Sequence, residues 1–185
     1  GASSIAVAPD GRFVYVTAAI DNSISVFSGP NHSDREPGLV LPTIVQSLTD
    51  GMNSVAGISG ASSIAISPDG RNVYVTGELS DSVAMFDRDP DFGTLTFVES
   101  LTVVTSLSGP TSVVVNPDGQ QVYVAASGID AIVVFDRNPE DGSLTFVESL
   151  GPDPDGEGIS VSGLNLVSSV TASTDGLNVY ATGVE

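Results

Sequence analysis

The chain contains no cysteine, no tryptophan and no lysine, and a single histidine, His32, among 185 residues. Without cysteine there is no disulfide, no thiolate metal site and no thiol nucleophile. The five basic side chains are all arginine (Arg12, Arg35, Arg71, Arg88, Arg137) and stand against 23 carboxylates, a formal charge of −18. A surface of that sign repels phosphate backbones and excludes nucleic acid as a partner. Long apolar runs are missing too: nothing approaches the ~20 residues of a membrane span, and no charged-then-apolar leader opens the sequence. Neither a phosphate-cradling glycine motif nor a zinc motif occurs. What is present is 41% apolar residues, enough to build the core of one domain and too many for a disordered chain.

Aspartate outnumbers glutamate by more than two to one. Short carboxylates bond nearby backbone amides and tolerate turn dihedrals, so turn chemistry is one source of the excess. A surface adapted to high salt or to divalent cations is the other, because salt screens the mutual repulsion. The acidity also fits an extracytoplasmic or secreted protein.

The most informative feature is an internal repeat. Four segments align without gaps: SSIAVAPDGRFVYVT from Ser3, SSIAISPDGRNVYVT from Ser62, TSVVVNPDGQQVYVA from Thr111 and SSVTASTDGLNVYAT from Ser168. In each, an aspartate (Asp10, Asp69, Asp118, Asp175) precedes a tyrosine by five residues (Tyr15, Tyr74, Tyr123, Tyr180), and these aspartates are 59, 49 and 57 residues apart. A second element recurs as ISVF, VAMF and IVVF, ending at Phe27, Phe86 and Phe135, and a third as LTFVESL at Leu95–Leu101 and Leu144–Leu150. Repeats at this period signal a repeat architecture.

Each unit reads as four short strands. The Pro-Asp-Gly turn presets φ with proline and reverses the chain through glycine. Val14 and Val16 flank Tyr15 in the returning strand, where β-branched and aromatic residues belong. The expected strands fall near 3–8, 13–17, 23–27, 39–47, 62–67, 72–76, 82–86, 94–102, 111–116, 121–125, 131–135, 144–150, 166–173 and 178–182. A four-stranded antiparallel unit of about 50 residues, repeated, is the pattern of a propeller blade, which hides its faces against neighbouring blades. The fold class is therefore all-β: a β-propeller with about three and a half blades and 14 strands in a single partial domain, 1–185. The blades run approximately over 1–50, 51–102 and 103–150, with a half blade over 151–185. Propellers close with about four to eight blades, so this segment is expected to be part of a longer product, or to close with a second chain through its open edges.

The segments PDGRFVYVT, PDGRNVYVT and PDGQQVYVA, each followed by a polar link and a V-F or M-F strand, resemble the YVTN-type repeats of lactonase-like seven-bladed β-propellers. The resemblance covers essentially the whole chain. It implies a seven-bladed ring and, for enzymes of the family, hydrolysis of sugar lactones. Those enzymes often carry Pro-Arg-His just before the first apolar residue of the innermost strand. This chain has Ala61-Ser62-Ser63 and Pro110-Thr111-Ser112 there, so the family's catalytic residues cannot be transferred and no catalytic residue is assigned.

Candidate binding residues come from the loops at the channel mouth. The links between second and third strands hold Asp21, Asn22, Glu78, Asp81 and Asp130, with Glu185 in the corresponding place of the fourth unit. Together they predict a polar, acidic ring near the axis. Asp153, Asp155 and Glu157 form a candidate metal site in an inter-blade loop, and hard oxygen ligands suit Ca²⁺ or Mg²⁺. The glycine and proline density reads this stretch first as a flexible loop; no cofactor is otherwise expected, and Ca²⁺ is the candidate if the loop ligates a cation. The outer hairpins from Asp87 to Gly93 and from Asp136 to Gly142 space their acids like a calcium loop, but their glycines and glutamates fall one position late. A hydroxyl lies six residues before every turn aspartate (Ser4, Ser63, Ser112, Ser169), either lining the channel or satisfying backbone groups at the strand entry. His32 is expected to be an exposed loop residue.

The functional expectation is a non-enzymatic binding or scaffold module presenting acidic, polar loops to a ligand or protein. The alternative is part of a lactone hydrolase whose catalytic residues lie outside this segment. Expected partners are that ligand or protein and, through open blade edges, another copy of the chain.

Overall fold

The computed structural model describes residues 1–29, 42–102, 107–152, 161 and 163–184. These residues form 14 strands and no helix. The first sheet contains β1 (Ala2–Val7), β2 (Phe13–Ala18), β3 (Ser23–Ser28) and β4 (Thr43–Thr49). The second contains β5 (Ala61–Ile66), β6 (Asn72–Gly77), β7 (Ser82–Arg88) and β8 (Leu95–Leu101). The third contains β9 (Pro110–Val115), β10 (Gln121–Ala126), β11 (Ala131–Arg137) and β12 (Leu144–Leu150). The last pair is β13 (Ser169–Ala172) and β14 (Val179–Thr182). Every sheet is an antiparallel meander in chain order. The first strands of successive sheets touch, β1 on β5, β5 on β9 and β9 on β13. They therefore form the inner wall of an arc of blades.

The expected strands are present with small shifts. β4 begins at Thr43 and ends at Thr49, two residues later than the pattern placed its end, and β13 begins at Ser169. The third strands β7 and β11 run on through Arg88 and Arg137, two residues past the phenylalanine that closes the recurring motif.

Local chemistry explains the turns. Asp10, Asp69, Asp118 and Asp175 each accept the amide two residues on at 2.9–3.0 Å, and Gly11, Gly70, Gly119 and Gly176 take φ between 69° and 74°. Side-chain alternation does the rest, since successive residues of a strand point to opposite faces. Val73 and Val75 of β6 pack toward the first blade with Tyr15, Ile24 and Val26, while Tyr74 between them packs toward the third blade with Val122, Val124 and Phe135. With both faces covered, all six residues of β6 are buried. Among the described residues the face that β1 turns away from the second blade has no such cover, and Ile5 and Val7 there are 66% and 59% exposed.

Two irregularities recur at fixed places. In the first strand of each complete blade one residue (Ser3, Ser62, Thr111) is left out of the pairing. In the fourth strand another (Val45, Val98, Val147) is skipped in the same way. A bulge of this kind re-aims a side chain. The three hydroxyls thereby reach the first residue or entry of the next inner strand: Ser3 donates to the Ala61 carbonyl, Ser62 to Pro110 (2.7 Å) and Thr111 to Val167 (3.2 Å).

An arginine joins each complete pair of neighbouring blades. Arg88 donates from Nε to the Tyr15 hydroxyl (2.6 Å), from Nη1 to the Gly70 carbonyl (2.9 Å) and from Nη2 to Asp10 Oδ2 (2.6 Å). The Tyr15 hydroxyl in turn donates a hydrogen bond to the Gly93 carbonyl at 2.8 Å. Arg137 repeats the set one blade on, with Tyr74 (2.8 Å), the Gly119 carbonyl (2.9 Å) and Asp69 (2.9 Å), and Tyr74 donates to Gly142 at 2.6 Å. Both arginines are buried, and each is satisfied by an anion and by fixed dipoles, which is what makes an interior charge tolerable. Gly93 and Gly142 admit no side chain, because a Cβ would enter the Phe13 ring or the Asn72 amide.

The bracket perturbs its members. Burial pushes the Tyr74 hydroxyl up to about 12 despite the nearby Arg137, and burial moves Tyr15 in the same direction against Arg88. Burial also pushes Asp10 and Asp69 upward, but it is outweighed at Asp10 by the Arg12 amide and Arg88, and at Asp69 by the Ser67 hydroxyl, the Arg71 amide and Arg137, so both carboxyls stay below their ordinary value.

Removing the hydroxyl by Tyr74→Phe strands Arg137 Nε and the Gly142 carbonyl, so thermal unfolding should show a loss of about 1–3 kcal/mol. The phenol and carboxyl shifts act at opposite ends of the pH scale. The folded chain holds the Tyr74 proton more tightly than the unfolded chain, so this contribution is whole below pH 10 and disappears as pH rises toward about 12. Melting temperature should fall across that window in step with tyrosinate ultraviolet absorbance. The Asp10 and Asp69 contribution is present above the ordinary carboxyl value of 3.8 and is lost as pH drops below it.

Candidate functional site

Each blade has two chemically different ends. The Asp-Gly turns, the outer hairpins and the arginine brackets occupy one. At the other, the link from second to third strand meets the chain entering the next blade. Contact is made there by one residue of each link: Asn22 Oδ1 accepts the Gly60 amide at 2.7 Å, Asp81 Oδ1 the Gly109 amide at 2.8 Å and Asp130 Oδ1 the Leu166 amide at 2.6 Å. All three adopt left-handed φ (48°, 49° and 54°), a conformation Asn and Asp tolerate better than other side chains. Three of the five expected mouth residues thus lie at equivalent positions and clip one blade to the next. Each keeps a second side-chain polar atom beyond the clip.

The other two, Asp21 and Glu78, are exposed on the same links. Beside them stand Ile20 and Leu79, 83% and 74% exposed. Leu79 also covers Gly60, where a Cβ would lie 2.7 Å from its Cγ. The inner wall below is lined by the hydroxyls of the first strands. Ser63 Oγ accepts the Val113 amide and Ser112 Oγ the Val170 amide, each at 3.2 Å. These two hydroxyls therefore satisfy backbone groups of the adjoining blade, one of the two roles open to them from sequence.

The electrostatics follow from where the arginines sit. Arg12 and Arg71 follow the turn glycines, Arg88 and Arg137 end third strands, and all four lie at the end away from the mouth. Among the described residues the mouth carries carboxylates and neutral oxygens without a basic side chain. Such a surface attracts cations and accepts hydrogen bonds from hydroxyl groups. No cluster of three or more histidine, aspartate or glutamate side chains placed to hold a metal ion occurs among the described residues. In the outer hairpins Asp89 caps the Asp91 and Phe92 amides, Asn138 the Glu140 amide and Asp141 the Ser143 amide. Their acids serve turn geometry. Asp153, Asp155 and Glu157, with Glu185 and His32, lie outside the described residues.

A family model described as lactonase, seven-bladed β-propeller matches residues 38–156, well over half of the chain. The chain belongs to this family. Solved structures agree with it. A candidate 6-phosphogluconolactonase from Bacteroides uniformis superposes with a TM-score of 0.74 at 24% identity, over 98% of this chain and 47% of its own. A candidate 6-phosphogluconolactonase from Bacteroides fragilis gives 0.68 at 25% identity, over 81% and 39%. The periplasmic gluconolactonase of Pseudomonas aeruginosa gives 0.67 at 27% identity, over 80% and 39%. The chain thus spans less than half the length of these propellers. No curated protein matches it.

As a member of the lactonase-like family, the chain departs from the charged innermost-strand entries that the resemblance leads one to expect, with Ser62-Ser63 and Thr111-Ser112 in their place. Sequence reasoning set Asn22, Asp81 and Asp130 on the links between second and third strands but missed the clips they make. The signal was available: an aspartate or asparagine stands at the same position of each link, directly before the third strand.

Asn22 shows that a neutral amide serves the clip as well as a carboxylate. Asp81→Asn should therefore leave the melting temperature nearly unchanged, whereas Asp81→Ala loses the hydrogen bond and strains a left-handed position. The alanine variant should be less stable by roughly 1–3 kcal/mol.

Proposed function

We propose that this chain supplies blades to a lactone-hydrolysing seven-bladed propeller whose reacting groups are carried by blades outside these 185 residues. The observation that carries the reading is the family match over residues 38–156. The gluconolactonase and 6-phosphogluconolactonase names of the similar structures support it. On this reading Asp21, Asn22, Glu78, Asp81 and Asp130 form an acceptor-rich rim that hydrogen-bonds the hydroxyls of a sugar lactone. With carboxylates at the rim and arginines at the far end, the favoured substrate is an uncharged aldonolactone rather than a phosphorylated one, because an anion would be repelled here without a compensating cation. The proposal includes an extracytoplasmic location, as named for the Pseudomonas aeruginosa protein, and cell fractionation tests it.

Acceptor-rich rims also suit a module that binds polyols without turning them over, and the uncharged inner-strand entries favour that second reading. One assay separates the two. The complete gene product should open glucono-δ-lactone well above its spontaneous rate and act more weakly on the 6-phosphorylated lactone. Asp21→Asn and Glu78→Gln together should raise KM for the neutral lactone with kcat largely retained. Ring opening no faster than in buffer, with saturable binding of the lactone, would replace catalysis by binding.

A further inference from the structure

The half blade leaves an arginine socket on the third blade. In the two complete junctions the arginine at the end of the third strand of one blade reaches back to the tyrosine and turn aspartate of the blade before it. It also holds the turn-glycine carbonyl of its own blade. The third blade displays the same receiving set, Asp118 and Tyr123, and the half blade displays the matching glycine, Gly176. Among the described residues β14 pairs only with β13, so its outer edge is where a third strand would lie.

Three observations show the socket prepared for a cation. Tyr123 does not make the outward bond of Tyr15 and Tyr74; its hydroxyl turns to Gln121 Oε1 at 2.5 Å, within its own strand. A groove of about 610 Å³ opens beside it, lined by Asp118, Gln120, Gln121, Asp136, Arg137 and Pro139. Asn116 Oδ1, on a residue only 3% exposed, has no hydrogen-bond partner among the described residues. Its position is specific. A Cβ on Gly70 or Gly119 would lie 3.3 or 3.5 Å from the Nη1 of Arg88 or Arg137, and a Cβ on Gly176 would lie 3.4 Å from Asn116 Oδ1. The orphan oxygen therefore borders the place where the third guanidinium would enter. Burial, with the Asp118 and Asp136 carboxylates close by, also raises the Tyr123 phenol.

We propose that this groove receives an arginine carried on a β-strand that pairs with the free edge of β14, the guanidinium bonding Asp118, Tyr123 and the Gly176 carbonyl. The strand comes from polypeptide outside these 185 residues, and its arginine follows a core phenylalanine by two positions, as in Phe86-Asp87-Arg88. Among the described residues a second copy of this chain offers no fitting strand. Its arginine-bearing strands β7 and β11 are internal to their sheets, with both arginines already bonded. Its first blade has Gly29 at the corresponding place, identified by the same backbone bond: Gly29 to Arg12, Arg88 to Arg71 and Arg137 to Gln120.

The test extends the chain itself. Thr182-Gly183 aligns with Thr76-Gly77, so a copy of residues 80–101 appended after Glu185 continues the blade in register. The extended chain should melt higher than the original. Arg88→Gly within the appended copy should remove about 5–10 °C of that gain. Asp118→Asn should lower the melting temperature of the arginine-bearing version by several degrees more than that of the glycine version, since the coupling exists only when both partners are present. An extension that adds no stability, a gain indifferent to the arginine, or an equal Asp118→Asn effect in both versions overturns the proposal. So does a dimer of the unextended chain, seen by sedimentation, that Asp118→Asn dissociates. If the extended chain fails to fold, synthetic peptides of residues 80–101 with and without Arg88→Gly are added to the 185-residue chain. Stabilisation by the arginine peptide alone supports the socket; equal or absent stabilisation by both overturns it.

Discussion

A four-stranded sheet of this sequence has apolar side chains on both faces, and one sheet has no means of hiding both from water. Everything in the fold answers that constraint. β6 buries all of its residues only because the first and third blades cover its two sides. At ~25 cal/mol per Å² of apolar surface removed from water, face-to-face packing of blades is the main stabilising term. It is also non-directional, so it says that blades stack without saying in what register. Register comes from the polar contacts at the two ends of each junction. The arginine bracket sets one end and the Asn22, Asp81 and Asp130 clips the other, with the bulged Ser3, Ser62 and Thr111 hydroxyls between them.

That division places the charges of the molecule. Guanidinium groups are needed where two turns and a buried tyrosine converge, and their carboxylate partners are the turn aspartates. The opposite end requires only acceptors for single backbone amides, which aspartate and asparagine supply equally. The result is an arc with its described cations at one end and unneutralised oxygen at the other. A structural economy of the junctions therefore gives this end its acidic character.

Much of this was legible before any coordinates. The 14 strands, the hairpin turns, the antiparallel meander and the lactonase-like family follow from period, turn chemistry and the Tyr-Val-Thr motif, because these depend on residues close together in sequence. Asp21, Asn22, Glu78, Asp81 and Asp130 lie between second and third strands, a position that strand order alone gives. Less legible was what each residue does there. For Arg88 and Arg137 nothing local distinguishes a buried arginine from an exposed one; their tyrosine and aspartate partners lie 63–78 residues away. The bulges were invisible for the same kind of reason: an extra residue shows only when two strands are aligned against each other.

By itself the sequence determined the repeat, the strand order and the two apolar faces of every blade, because side-chain alternation and turn propensity act over a handful of neighbouring residues. Tertiary structure decided which of the many carboxylates are engaged and with what. Asp10 is paired with the buried Arg88 guanidinium of the second blade, whereas Asp81 accepts the Gly109 amide at the entry to the third. The difference lies in the blade that packs against each of them, and a pairing made between sheets is set by how the sheets meet.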